Sequence, residues 1–287
     1  MKKTSLVLCS MLLACSLSAC GQSDSYSKLE GVVPETEENS VVDMNLPEVE
    51  EVSSAEDEKK EVTFTQEKAD KASEYMQNCT YISVSQLMEN GAKDGLSENS
   101  TSIAVVADTK NKISKCTSTM SSTDSDGNNE AYQMVMMSDA KTGANIYKAE
   151  DDQWVEADGT YKMLTWDLSK YENADDVLKY LLKDCVIPVD TVGYESEGYE
   201  YYEVTRETTE DMVSGIKYDK LGDTVINYTY RQLNGVLVLS ACTVDVNYFV
   251  GQNEYYVRAT IRVDATGSTD LAFPEYTRAG DIQKTDD

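Results

Sequence analysis

The 287-residue chain contains no histidine. That excludes serine or cysteine nucleophiles activated by imidazole, zinc sites of the HExxH kind, and the usual general base near neutral pH. Basic residues are scarce as well, with 25 Lys and Arg against 52 Asp and Glu. Phosphate backbones are gripped by clustered Lys and Arg, so no nucleic acid is expected as a partner, nor direct adsorption to an anionic membrane surface. No apolar run reaches the roughly 20 residues that a membrane-spanning helix needs. The βα alternation of two-lobed solute-binding folds is also missing. Carboxylate pairs for glycosidase chemistry are available, but among so many acids chance alone supplies them, and no enzymatic activity is expected.

What is present is concentrated at the start. Cys9, Cys15 and Cys20 fall within the first twenty residues, and four cysteines follow in all the rest. Lys2 and Lys3, the apolar residues 6–17 and the small residues after them have the order of a secretory signal. The signal ends on Leu17-Ser18-Ala19-Cys20, followed by Gly21-Gln22 and polar chain. These residues resemble the lipobox of bacterial lipoproteins. The resemblance implies a signal peptide over residues 1–19, cleavage before Cys20, and a diacylglyceryl group on its thiol, with palmitate a typical acyl chain. Leu12-Leu13-Ala14-Cys15 matches less well, with bulky Leu13 where a small residue is usual. Two acyl chains meet the need for two hydrophobic signals, at about 0.8 kcal/mol per buried CH₂. The expected location is the extracytoplasmic face of the cell membrane, with Cys20 as the lipid anchor.

Residues 21–62 carry 13 acids against the lysines Lys28, Lys59 and Lys60, with Pro34, Pro47 and few large apolar side chains. Such composition cannot offset the entropy of ordering the chain. Residues 20–62 are therefore expected to be the lipidated cysteine and a disordered acidic tether, reaching roughly 35 to 40 Å as a coil. Residues 63–278 are expected to form one β domain with a substantial core, and residues 279–287 a disordered tail.

Periodicity places the elements of that domain. Ala69, Ala72, Met76 and Cys79 recur at helical spacing after Thr63 or Thr65 as N-cap, predicting a helix over residues 65–79. Asn173 is the N-cap signal for a second, over residues 174–184, with Asp175 and Asp176 in its first turn and Val177, Leu178, Leu181 and Leu182 on one stripe. Elsewhere the period is two. Tyr255, Val257, Ala259, Ile261 and Val263 take one face of a strand whose other face is polar. The preceding strand, residues 235–249, carries Val236, Val238, Cys242, Val244 and Val246 at one parity and Leu237, Leu239 and Ala241 at the other. It is therefore expected to be covered on its second face over that half. Turn signals stand at Asp126-Gly127, Asn234-Gly235 and Gly251-Gln252-Asn253. The expected fold class is α+β: an antiparallel twisted sheet, or unclosed β-barrel, of about eight to eleven strands with helices covering the concave side.

This layout resembles the LolA-like lipoprotein-carrier fold shared by LolA, LolB, LppX and LprG, and most of all its Gram-positive lipoprotein members. The residues that carry the resemblance are Trp154 after Tyr147 and the closing Phe273-Pro274-Glu275, besides the order of helices and strands. It implies an unclosed barrel that encloses an apolar cavity in members that carry lipid.

Candidate site residues follow from the apolar stripes. Met76, Leu178, Leu181, Leu237, Leu239 and Ala241 are expected to line an apolar pocket between the helices and the sheet. Whether that space takes a lipid or other apolar ligand, or is filled by side chains in a surface interaction or structural lipoprotein, is left open. No cofactor and no metal are expected. Aligned on a calcium loop, Asp124, Asp126 and Gly127 leave Ser122 at the first position and Gln133 at the twelfth, where Asp and Glu are needed, so a hairpin tip is the better reading. Cys79, Cys116, Cys185 and Cys242 allow three disulfide pairings, yet Cys79 and Cys242 sit on apolar faces and fit a core as free thiols equally well. Tyr194, Tyr199, Tyr201, Tyr202, Tyr228 and Tyr230 form the densest aromatic group, expected to be cross-strand pairs rather than a binding surface. The protein is expected to be a monomer.

Overall fold

The computed structural model describes residues 41–43, 59–93, 97–123, 129–149, 151–157, 168–182, 185–213 and 216–278. In chain order these form strands β1 (Val41–Asp43) and β2 (Lys60–Thr63), helix α1 (Gln66–Gln77), strands β3 (Tyr81–Ala92), β4 (Ser97–Asp108), β5 (Ile113–Thr123), β6 (Asn129–Asp139), β7 (Ala144–Lys148) and β8 (Trp154–Glu156), helix α2 (Ala174–Leu181), and strands β9 (Val192–Ser196), β10 (Tyr199–Glu207), β11 (Lys220–Leu233), β12 (Val236–Val250) and β13 (Asn253–Gly267). One antiparallel sheet takes every strand in the order β2-β9-β10-β11-β12-β13-β3-β4-β5-β6-β7-β8, with β1 attached to β13. The two ends of that order do not pair, so the barrel is unclosed and the α+β class stands. No helix among the described residues is long and apolar enough to cross a membrane.

Local chemistry accounts for the helices. Thr65 caps α1 by accepting the Lys68 N–H at 3.3 Å, and Asn173 caps α2 by accepting the Asp176 N–H at 3.0 Å. Asn234 and Gly235, at φ 50° and 82°, make the two-residue turn between β11 and β12, where both positions need positive φ.

Two strands fall where a tether was expected. β1 pairs Val41 with Gly267 and Asp43 with Ala265, along the stretch of β13 that β12 has left, since β12 pairs β13 only up to Arg262. An edge with unpaired backbone groups recruits a short β-branched segment whatever the average composition around it. β2 begins at Lys60, three residues before the expected domain start, and pairs with β9. Cys20 and residues 279–287 lie outside the described residues.

Cross-strand register defines one continuous inner face: Tyr202, Tyr228 and Cys242 stand side by side, followed by Ile261, Val84, Val105, Cys116 and Met136. Helix α1 lies against β12 and α2 against α1. The Ala174 N–H donates to the Cys79 carbonyl at 2.9 Å, which links the end of one helix to the start of the other. Together they bury the main core, which runs from Phe64 and Met76 through Leu178 and Leu181 to Tyr228, Leu239 and Ile261.

A smaller core lies on the opposite face, where Ile113, Met137 and Ile146 are covered by Leu271, Phe273 and Tyr276 with Trp154. The residues after β13 return across the sheet and finish beside β8. There the Glu156 N–H donates to the Thr277 carbonyl and the Thr277 N–H to the Trp154 carbonyl, both at 2.9 Å. Asp108, fully buried, holds this return by accepting the Leu271 N–H at 2.8 Å and the Asn111 N–H at 2.9 Å. An edge strand is thereby covered rather than left as a template for another chain.

Candidate functional site

The inner face of β12 differs from the simple alternation read in the sequence. Ala241 pairs with Thr229 but Leu239 pairs with Tyr230, so Ser240 is an extra residue, a β-bulge. Because Tyr228 and Tyr230 share a face, their partners Cys242 and Leu239 share it too, and Leu237 joins them opposite Gln232. The strand is covered on both sides over residues 237–242, as expected, but Leu237 and Leu239 are not the second face. They line up with Cys242, Val244 and Val246, while Ala241 and Val238 take the other parity, Val238 remaining fully buried within the main core.

Of the six expected pocket residues, Met76, Leu178, Leu181, Leu237 and Leu239 belong to the main apolar core, while Ala241 does not. All six are buried, the least covered being Leu178 and Ala241 at 8% exposure. The two helices thus do bring their apolar stripes to the inner face of the central strands, as amphipathic helices over a sheet must.

Sequence reasoning treated six tyrosines as one group, but register divides them. Tyr194 and Tyr201 stack on the outer face, with centroids 5.0 Å apart and the Lys59 ammonium 4.6 Å from the Tyr194 ring. Tyr202, Tyr228 and Tyr230 face inward and are buried. Phe64, just past β2, packs between two of them, 5.5 Å from Tyr202 and 5.2 Å from Tyr230. Burial pushes all three inner phenols well above the ordinary tyrosine range, and Tyr202 is raised further by its hydrogen bond to Glu200 and by the charge there.

Glu200 was not singled out in the sequence, and it is the most buried charge on the inner face. Its side chain is 3% exposed and takes the Lys68 ammonium at 2.7 Å, the Tyr202 hydroxyl, and Gln232 Nε2 at 3.4 Å. With its oxygens occupied, this carboxylate is a clamp holding the first turn of α1 to β10 and β11. Asp175 does the same between the helices, accepting from Lys179 at 2.6 Å and Ser73 at 2.8 Å. Arg206 also belongs to the inner face, opposite Thr224, with its Nε buried and its charge felt by Tyr228 and Cys242. Neither Glu200 nor Arg206 carries a sequence signal, because charged residues on an apolar parity read as breaks in it.

Among the described residues no group of His, Cys, Asp or Glu could hold a metal ion. The acidic stretch with Asp124, Asp126 and Gly127 lies outside the described residues; β5 stops at Thr123 and β6 resumes at Asn129. Cys79, Cys116, Cys185 and Cys242 are all buried, and none is joined in a disulfide in this structure.

No family model matches the chain, and no curated protein matches it. Among solved structures, it is similar to a LolA superfamily protein from Nitrosomonas europaea, at 12% identity over 74% of this chain and 96% of that one, with a TM-score of 0.26.

Proposed function

We propose that the chain is a non-enzymatic lipoprotein, held at the extracytoplasmic face of the cell membrane by lipid on Cys20, that takes a lipid or other apolar ligand between its two helices and the inner face of its sheet. One observation carries this reading: Met76, Leu178, Leu181, Leu237 and Leu239, from both helices and the central strand, converge in one apolar cluster. No covalent step is involved. Binding would draw on removing acyl chain from water, about 0.8 kcal/mol per CH₂. Arg206 adds a cation within this face, which suits a ligand with an acidic head.

The packing of Phe64 against Tyr202 and Tyr230 supports a second reading, a surface interaction or structural module whose core is complete without a ligand. Leu239→Trp separates the two. In a carrier, the parent protein binds a fluorescent fatty acid, and the variant loses binding while keeping its melting temperature. No binding by the parent, together with a variant destabilised by about 1 to 3 kcal/mol through overpacking, rejects the carrier and leaves the module. Membrane fractionation of Cys20→Ala tests the anchor, since the variant should leave the membrane or remain an uncut precursor. Unchanged processing and attachment would reject Cys20 as the lipid site.

A further inference from the structure

The four domain cysteines are all buried, but only two are brought together. Cys185 lies on the extended stretch that follows α2, its N–H bonded to the Leu182 carbonyl at 2.7 Å. Cys242 is on β12, beside Tyr228 on the inner face. Both belong to the main core, at 4% and 0% exposure, and their side chains are within hydrogen-bonding reach of each other. Cys79 is in contact with Tyr75 and Thr266 instead, and Cys116 lies across the sheet on β5.

We propose that Cys185 and Cys242 form a disulfide in the exported protein, tying the end of α2 to the central strand. The reading rests on export through the signal peptide and is independent of whether a lipid is bound. An oxidising compartment is where such a bond persists. Two thiols give up two protons and two electrons as the S–S bond forms, and a disulfide donor of the thiol oxidoreductase class takes them up, becoming a dithiol. Cys185 thiolate attacks the donor disulfide to give a mixed disulfide and releases one donor thiolate. Cys242 thiolate then attacks Cys185 Sγ and expels the second.

Cys185 is placed for the first step. Its segment has no regular structure and alternates between core and solvent, with Val186 70% exposed next to it. Opening of that stretch would expose Cys185 without requiring β12 to leave the sheet. In the closed fold the hydrogen bond that the Cys242 thiol donates to Cys185, together with burial, holds that thiol well above its ordinary range, so exchange proceeds from the folding or locally opened chain. The bond would enclose β9, β10 and β11 in one loop and restrict the unfolded state accordingly.

The test uses the mature full-length protein, alkylated in intact cells and then denatured without reductant. The expected peptide map joins Cys185 to Cys242 and finds Cys79 and Cys116 alkylated. In parallel, reductant should lower the melting temperature of the parent by about 10 °C and leave that of Cys185→Ser unchanged. Alkylation of both Cys185 and Cys242, or a link between any other pair, overturns the proposal. If the reduced protein forms the link in a glutathione buffer but cells yield free thiols, the pair is correctly placed and the exported disulfide is still rejected.

Discussion

Leu239 stands opposite Tyr230 on the inner face of the sheet, although simple alternation from Cys242 would turn Leu239 outward. The extra residue at Ser240 makes the difference. Without the bulge, a serine and a valine would face the helices where two leucines now do, so the fit of α1 and α2 depends on one inserted residue.

Deleting Ser240 should therefore be better tolerated than adding a residue beside it. In the deletion, plain alternation points Leu237 and Leu239 inward opposite the partners they already have, whereas an alanine inserted after Ser240 keeps their parity only by sliding Leu239 from Tyr230 to Gln232 and forcing Leu237 into the turn at Asn234-Gly235. We expect a loss of about 1 to 2 kcal/mol for the deletion and a larger one for the insertion, which shifts the register of the strand end and disrupts its turn. Urea titrations of the two variants decide it, and equal stability would reject this account of the bulge.

Glu200→Gln should weaken the hold of α1 on the sheet. The variant keeps the shape of the side chain but leaves Lys68 without its carboxylate and Tyr202 with a neutral acceptor. Lys68 is 27% exposed and can turn partly to water, so the expected cost is about 1 to 3 kcal/mol. Hydrogen exchange should rise first in residues 66–70. A variant as stable as the parent would mean that the clamp contributes nothing net.

Stability should fall steeply above about pH 10, where the tyrosines add to any loss from the buried thiols. In the unfolded chain the phenols ionise near pH 10, while Tyr202, Tyr228 and Tyr230 are raised by burial and stay protonated in the fold. The unfolded state then binds fewer protons, and each buried tyrosine removes about 1.4 kcal/mol per pH unit until its own raised value is reached. Unfolding free energies between pH 9 and 12 should show this slope, reduced in Tyr228→Phe. An identical slope in the variant would show that Tyr228 ionises as freely in the fold as out of it.

The sequence makes some of these elements plain and hides others for physical reasons. β13 and α2 are legible because solvent wets one side and core the other, so period and burial agree. β5 is hard to see: its residues from Ile113 to Thr123 are mostly Ser, Thr and Lys, and its place follows from its neighbours β4 and β6 rather than from its own pattern. β1 and β2 are too short to show any period and exist because sheet edges are available to them. At the candidate site, the leucines announce themselves by their apolarity, whereas Glu200 and Arg206 interrupt the parity they belong to. The split of the tyrosines between two faces needed register. So did the course of β12, because a bulge reverses parity without any change in composition.

The pairing of β13 with β3 bears on how the chain comes to be folded. The strands β3 to β8 follow one another in space as in sequence and can assemble by nearest-neighbour hairpins as soon as they emerge. The partner of β3 on its other side is the last strand made, and the surface on which α1 rests belongs to β12, the strand before it. Bringing such distant segments together is slow compared with closing hairpins. For most of its synthesis, then, the polypeptide holds a half-sheet and a helix with nowhere to dock. Such a chain gains its final shape only after the far end has arrived.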